Sequence, residues 1–232
     1  GYANLRAAWP LAAALGLAVE RADLGPLAPP FDRCLWRASR EAYERLSRLS
    51  QQRLGGRAFR GSLERLTAIL PDGPDGREAD RAARTLARLV ARGFGARLCA
   101  RLAASGRPLL TTFYAPAIAA DLRTDAAISC VVTDSDAHRV WAPLDGRRSR
   151  IRYLVPTPAA AERLLSYGVR PDNVAVTGFP LPLELAAGAE AALARRLQRL
   201  GGGGDAPPRL GFAVGGAGAQ AQRARELLVA LE

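Results

Sequence analysis

Residues 128–182 read ISCVVTDSDAHRVWAPLDGRRSRIRYLVPTPAAAERLLSYGVRPDNVAVTGFPLP, and this stretch constrains the fold more than any other. Three short β-prone runs, 128–132, 152–155 and 173–177, are separated by polar turns and one helix-like segment. Thr157 followed by Pro158 is the pattern of an N-cap with proline at the first helical position, and Gly168 ends the segment 159–167. Strands alternating with helices at such short spacing indicate a parallel α/β sheet, because parallel strands need crossover connections. Ligands of such sheets bind beyond the carboxyl ends of the strands. Asp134, His138 and Thr157 all fall just past strand ends.

The rest of the chain extends the pattern. Residues 2–15 read as a helix with Leu5, Ala8, Trp9, Ala12 and Leu15 on one side; Pro10 is a break unless it lies near the helix start. Residues 17–22 read as a short strand. Residues 31–54 read as a helix with an apolar stripe (Phe31, Leu35, Ala38, Ala42, Leu46, Leu49) beside a dense arginine set. Residues 59–70 read as a short helix, 71–76 as a loop, and 77–104 as one or two helices broken near Gly93 and Gly95. The arginines of 77–104 recur at helical spacing and read as a solvated face. Residues 108–113 form a further strand leading into a helix through Leu122. Residues 182–200 read as a helix. A Gly-rich then Pro-rich linker over 201–208 is the best domain boundary. Beyond it a strand, 209–214, runs into Gly215-Gly216-Ala217-Gly218-Ala219-Gln220 and a helix, an arrangement that aims backbone N–H groups and a helix dipole at a phosphate.

The order Thr133, Asp134, His138, Trp141, Pro156, Thr157, Gly168, Val169, Pro171, Val176, Thr177, Gly178, Pro180 resembles the closing part of the N-terminal domain in GT-B glycosyltransferases of the MurG and monogalactosyldiacylglycerol synthase type, and in the related processive diacylglycerol glucosyltransferases. The resemblance covers about half the chain. It implies an α/β fold of GT-B type: a Rossmann-like parallel sheet in an N-terminal acceptor domain over 1–200, a linker over 201–208, and the start of a second Rossmann-like donor domain over 209–232. In this family a Gly-rich loop follows the first strand, and Gly1-Tyr2-Ala3-Asn4 resembles the tail of that loop. The first strand would then precede residue 1, leaving a slot in the middle of the sheet, and the chain would be a fragment or an incomplete gene product, with its own activity left open. The family's Ser/Thr-His-Pro motif corresponds to Thr112-Phe113-Tyr114-Ala115-Pro116, where the histidine is missing.

The implied function is inverting transfer of a sugar from a UDP-sugar to a lipid hydroxyl, such as that of diacylglycerol, at a membrane surface. The UDP-sugar is a substrate, and no cofactor or metal is implied. Gly215, Gly216, Gly218, Ala219 and Gln220 correspond to the donor diphosphate loop, and Asn4 and Trp141 to acceptor contacts. Asp134 and His138 are the candidate catalytic residues, although the family's base falls before residue 1. Each has a plainer reading: Asp134 as a turn cap, His138 as a structural histidine, Trp141 as core, Thr157 as a helix cap. Trp36, Arg37 and Arg40 form a candidate contact with an anionic membrane; the plainer reading packs that helix on the sheet with arginine in water.

Bulk properties fit several classes. Hydrophobic residues make up 49% of the 232, enough for a core, and Arg or Pro interrupts every apolar run before it reaches bilayer length. All 33 basic residues are arginine and the net charge is +11, a balance that attracts nucleotide diphosphates, anionic lipid or nucleic acid. A GC-rich genome would also produce such a composition. Cys34, Cys99 and Cys130 match no metal or disulfide framework, which points to reduced thiols in the cytoplasm. The expected location is therefore cytoplasmic, peripheral on the inner face of the cell membrane. The alternatives are a nucleotide-sugar 2-epimerase of the same architecture and a non-catalytic basic binding protein. Aromatics are only 6% and no nucleic-acid motif is visible, so nucleic acid is not an expected partner.

Overall fold

Four short strands carry the fold: β1 (Leu109–Thr111), β2 (Ile128–Val131), β3 (Arg152–Val155) and β4 (Val174–Val176). The computed structural model describes residues 2–49, 81–182, 185, 187–201 and 221–230. The strands pair in chain order and all are parallel, with Leu109 opposite Ile128, Cys130 opposite Tyr153 and Val155 opposite Val176. Each lies within a run read from the sequence. The architecture is a mixed α/β, Rossmann-like sheet.

Helices α1 (Tyr2–Ala14), α2 (Pro30–Leu49), α3 (Arg81–Ala91) and α4 (Ala96–Ser105) precede β1; α5 (Tyr114–Arg123) joins β1 to β2, and α6 (Pro158–Ser166) joins β3 to β4. Local chemistry sets these boundaries. The Thr157 hydroxyl accepts the Ala160 N–H at 3.1 Å, and Pro158 opens α6 without sacrificing a bonded donor. In α5 the residues Ala115, Ala117, Ala119 and Ala120 are all buried, and their small side chains let β1 and β2 approach on one side and α3 and α4 on the other. The α3–α4 turn depends on Gly95: its φ is +75°, and a Cβ there would lie 2.8 Å from that of Ala119.

Residues alternate across the sheet as the pleat requires. Ile128, Cys130, Val132, Tyr153 and Val155 are buried in the main core, whereas Leu110, Ser129, Arg152 and Ala175 are half-buried or exposed. The chain divides into two units, one of Gly1–Ser39 with Leu66–Pro180, the other of Arg40–Arg65 with Leu181–Glu232. The sheet and its core belong to the first. The described residues of the second include α7 (Ala189–Gly201) and α8 (Ala221–Ala230).

Several expectations are corrected. Residues 17–22 form no strand, and Leu17 is exposed. The four strands are contiguous, so the expected slot in mid-sheet is absent among the described residues. Helix α1 continues through Pro10 and buries Ala7 while leaving Trp9 exposed, and Leu15, just past its end, is exposed too. Helix α2 turns Asp32, Leu35 and Trp36 inward, spaced by three and four residues, and leaves Phe31 and Ala38 outside. The helix expected over 182–200 is described as α7 from Ala189. The helix over 59–70, the loop over 71–76, most of the linker over 201–208 and the strand over 209–214 lie outside the described residues.

Candidate functional site

The segment following β2 is tied down almost residue by residue. The Thr133 hydroxyl donates to Asn4 Oδ1 at 2.8 Å, and Thr112, just past β1, donates to the Asn4 carbonyl at 2.9 Å. The first turn of α1 is therefore fixed across the carboxyl ends of β1 and β2. Asp134 Oδ2 accepts the Trp141 indole N–H at 2.8 Å. The Ser135 carbonyl accepts the Thr157 hydroxyl at 2.6 Å, so Thr157 both caps α6 and clamps the neighbouring loop. Asp136 pairs with Arg163 of α6 through both carboxylate oxygens, at 3.3 and 3.4 Å. The Ala137 carbonyl accepts the Tyr167 hydroxyl at 3.0 Å. His138 Nδ1 accepts the Val140 N–H at 3.3 Å, capping a 3-10 turn over Arg139–Trp141.

Arg139 closes this loop from inside. The residue is 3% exposed, and its guanidinium donates to the carbonyls of Ala142, Pro143 and Leu144 and lies 5.2 Å from the centroid of the Tyr167 ring. A buried cation is tolerated only where fixed dipoles replace its water, and three carbonyls with an aromatic face do so. Beneath the loop, the Tyr153 hydroxyl donates to the Trp141 carbonyl at 2.8 Å, and burial pushes both this phenol and the neighbouring Cys130 thiol upward in pKa.

An aromatic chain extends from this loop. Trp141 contacts Phe113 and Tyr114 with centroids 6.2 and 5.3 Å apart, and Phe113 reaches Trp36 at 5.7 Å, which reaches Phe94 at 5.4 Å. Two expectations are corrected here. Trp141 is 2% exposed and is a core residue with its indole N–H bonded, so it offers no ring face to an acceptor. Trp36 packs on Phe94 and Phe113 rather than standing out toward a membrane, whereas Arg37 and Arg40 of the same helix are exposed.

The strand ends thus bring Asn4, Thr112, Thr133, Asp134, Ser135, His138 and Thr157 to one edge of the sheet. Asp134 is exposed and His138 half-buried. Gly215, Gly216, Gly218, Ala219 and Gln220 lie outside the described residues. The sequence reading missed Arg139, Tyr167 and the Asp136–Arg163 pair. In a chain whose every cation is arginine, one buried arginine carries no distinguishing signal. Thr112 is missed for another reason: its role depends on a contact with a residue 108 positions earlier.

A hollow of about 440 Å³ lies elsewhere, lined by Leu144, Asp145, Gly146, Arg147 and the end of α6 from Leu165 to Gly168. Helix α6 runs from the carboxyl end of β3 back to the start of β4, so this hollow lies at the opposite edge of the sheet from the strand-end residues. Among the described residues, no group of three or more His, Cys, Asp or Glu is placed to hold a metal ion. No described helix is long and apolar enough to cross a membrane. Comparison with family models, with curated proteins and with solved structures finds no match to this chain.

Proposed function

We propose that this chain is a glycosyltransferase that moves a sugar from a UDP-sugar to a lipid hydroxyl at an anionic membrane surface, with inversion. The observation that carries the reading is the carboxyl edge of the sheet. There Asn4, at the start of α1, is held to Thr112 and Thr133, and the exposed Asp134 is fixed beside them. A polar, preorganised edge at the strand ends suits an acceptor hydroxyl, with Asn4 and Asp134 as its hydrogen-bonding groups. His138 stands on the same loop as a candidate proton acceptor. The donor diphosphate falls to Gly215, Gly216, Gly218, Ala219 and Gln220, which precede α8 in the sequence; the N-terminus of a helix offers an anion backbone N–H groups and a dipole. The exposed Arg37 and Arg40 suit an anionic inner membrane face, with the chain peripheral on its cytoplasmic side.

Calorimetry with UDP and UDP-sugars on the protein tests this reading. Saturable binding is expected, lost in Gly216→Val and Gly218→Val and retained in Asp134→Asn, whose defect should appear only in transfer to lipid. Absence of binding to every UDP compound would remove the transferase reading.

A further inference from the structure

The hollow of about 440 Å³ at the sheet edge opposite the strand-end residues has the size of a small-molecule site. Two segments line it, 144–147 and the end of α6 from Leu165 to Gly168. Their backbones are in close contact, since a Cβ on Gly146 would lie 2.9 Å from backbone atoms of Tyr167, Gly168 and Val169. Arg139 braces both segments: its guanidinium donates to the Leu144 carbonyl at 3.4 Å and lies 5.2 Å from the centroid of the Tyr167 ring. The walls are therefore set before a ligand arrives, which lowers the entropic cost of binding.

The lining selects a ligand class. Leu144 and Leu165 are 48% and 39% exposed, so each offers aliphatic surface to an occupant. The stem of Arg147 lies along Gly168, where a Cβ would be 3.8 Å from Arg147 Cγ. No carboxylate pairs with Arg147 among the described residues, whereas Asp145 pairs with Arg148 at 3.4 Å. Asp145 and Arg148 offset each other, and the Arg147 charge is unshared. A guanidinium without an internal partner binds carboxylate or phosphate oxygens, and its planar fork can hold two of them at once. Tyr167 is buried with its ring against Arg139, so the hollow opens no aromatic face to a nucleobase. The complementary guest is a short aliphatic chain that ends in a carboxylate or a phosphate.

The same walls lead to the strand ends. Tyr167 donates its hydroxyl to the Ala137 carbonyl at 3.0 Å. The next carbonyl, that of His138, accepts the Trp141 N–H at 2.9 Å, and the Trp141 indole N–H holds Asp134 at 2.8 Å. We infer that the hollow binds a small aliphatic anion, and that its occupancy is transmitted through Tyr167 and the turn over Arg139–Trp141 to the loop that carries Asp134. The inference goes beyond the transferase reading. None of the residues that bind this anion is assigned to sugar donor, lipid acceptor or membrane, and its test needs none of those ligands.

The test is a proton–nitrogen NMR titration of the full chain with hexanoate, followed at the Gly146 and Gly168 amides and at the tryptophan indole N–H groups. Saturable shifts of both glycines are expected, accompanied by Trp141 and not by Trp9. Affinity should rise about fourfold for each CH₂ added between butyrate and hexanoate. Binding of 1-hexanol, which lacks the anion, should be roughly tenfold weaker than that of hexanoate, and Arg147→Gln should weaken hexanoate by a similar factor. Leu165→Ser should remove the gain from the longer chain. Both side chains are exposed, so the spectra of these variants should otherwise match wild type. Tyr167→Phe should keep the glycine shifts and lose the Trp141 response. Equal affinity for hexanoate and 1-hexanol, equal affinity in wild type and Arg147→Gln, or glycines that do not shift would overturn the site. So would glycine shifts produced by phosphatidylserine vesicles and not by the soluble anion. A Trp141 response that persists in Tyr167→Phe, or is missing when the glycines saturate, would overturn the transmission.

Discussion

At the scale of single residues, the Trp141–Asp134 pair unites a core side chain with an exposed one. Removing either partner destabilises for a different reason. Asp134→Ala strands a buried indole N–H, whereas Trp141→Phe leaves a carboxylate that water can still solvate. Each is expected to cost about 1–3 kcal/mol in urea denaturation. A double-mutant cycle should return a coupling of about 1 kcal/mol; a coupling near zero would mean the bond holds nothing. Asp32 carries a different signature. It is 2% exposed, one oxygen accepts the Gly95 N–H, and the other has no partner. Desolvation lifts its pKa above the ordinary carboxyl value, with the Gly95 bond acting in the opposite direction. A raised carboxyl holds its proton more tightly in the folded chain. Its stabilising contribution is thus full below the ordinary carboxyl pKa and is lost as pH climbs through the raised value. The stability of wild type relative to Asp32→Asn should therefore fall with rising pH across that mildly acidic window. Parallel curves for the two proteins would contradict the assignment.

At the scale of elements, packing of neighbours decides what periodicity leaves open. In α2 the apolar stripe beginning at Phe31 is real in the sequence, yet the helix docks through Asp32, Leu35 and Trp36. The cause is tertiary: the Gly95 N–H holds Asp32, and Phe94 with Phe113 receives Trp36. Residues 17–22 have strand-like composition but, among the described residues, no strand pairs with them, and unpaired backbone does not make a sheet. The opposite case is α6, where Thr157, Pro158 and Gly168 punctuate the chain so locally that the helix is legible without its surroundings. Gly146 belongs to the packing class. A Cβ there would meet backbone atoms of Tyr167, Gly168 and Val169, each at 2.9 Å. Backbone cannot move aside as a side chain can, so Gly146→Ala should destabilise by about 1–3 kcal/mol. A melting temperature equal to wild type would show that the α6 end yields instead.

At the scale of the whole molecule, the parallel sheet was readable because each strand is a short apolar run closed by a turn residue, and because a helix separates β3 from β4. The strand-end placement of Asp134, His138 and Thr157 followed from the same pattern. What these residues touch did not, since Asn4 lies 129 positions before Thr133 and no local pattern records so distant a partner. The bolted loop after β2 has a consequence for recognition. Its carbonyls, carboxylates and hydroxyls already occupy one arrangement, set by Asn4 of α1 and by Thr157, Arg163 and Tyr167 of α6 and its two caps. A ligand arriving at the strand ends meets a mould that is already set, and little conformational entropy remains to be lost when it binds. Selectivity at such an edge rests on the shape and hydrogen-bonding pattern of the guest, because the host has few alternative shapes to offer.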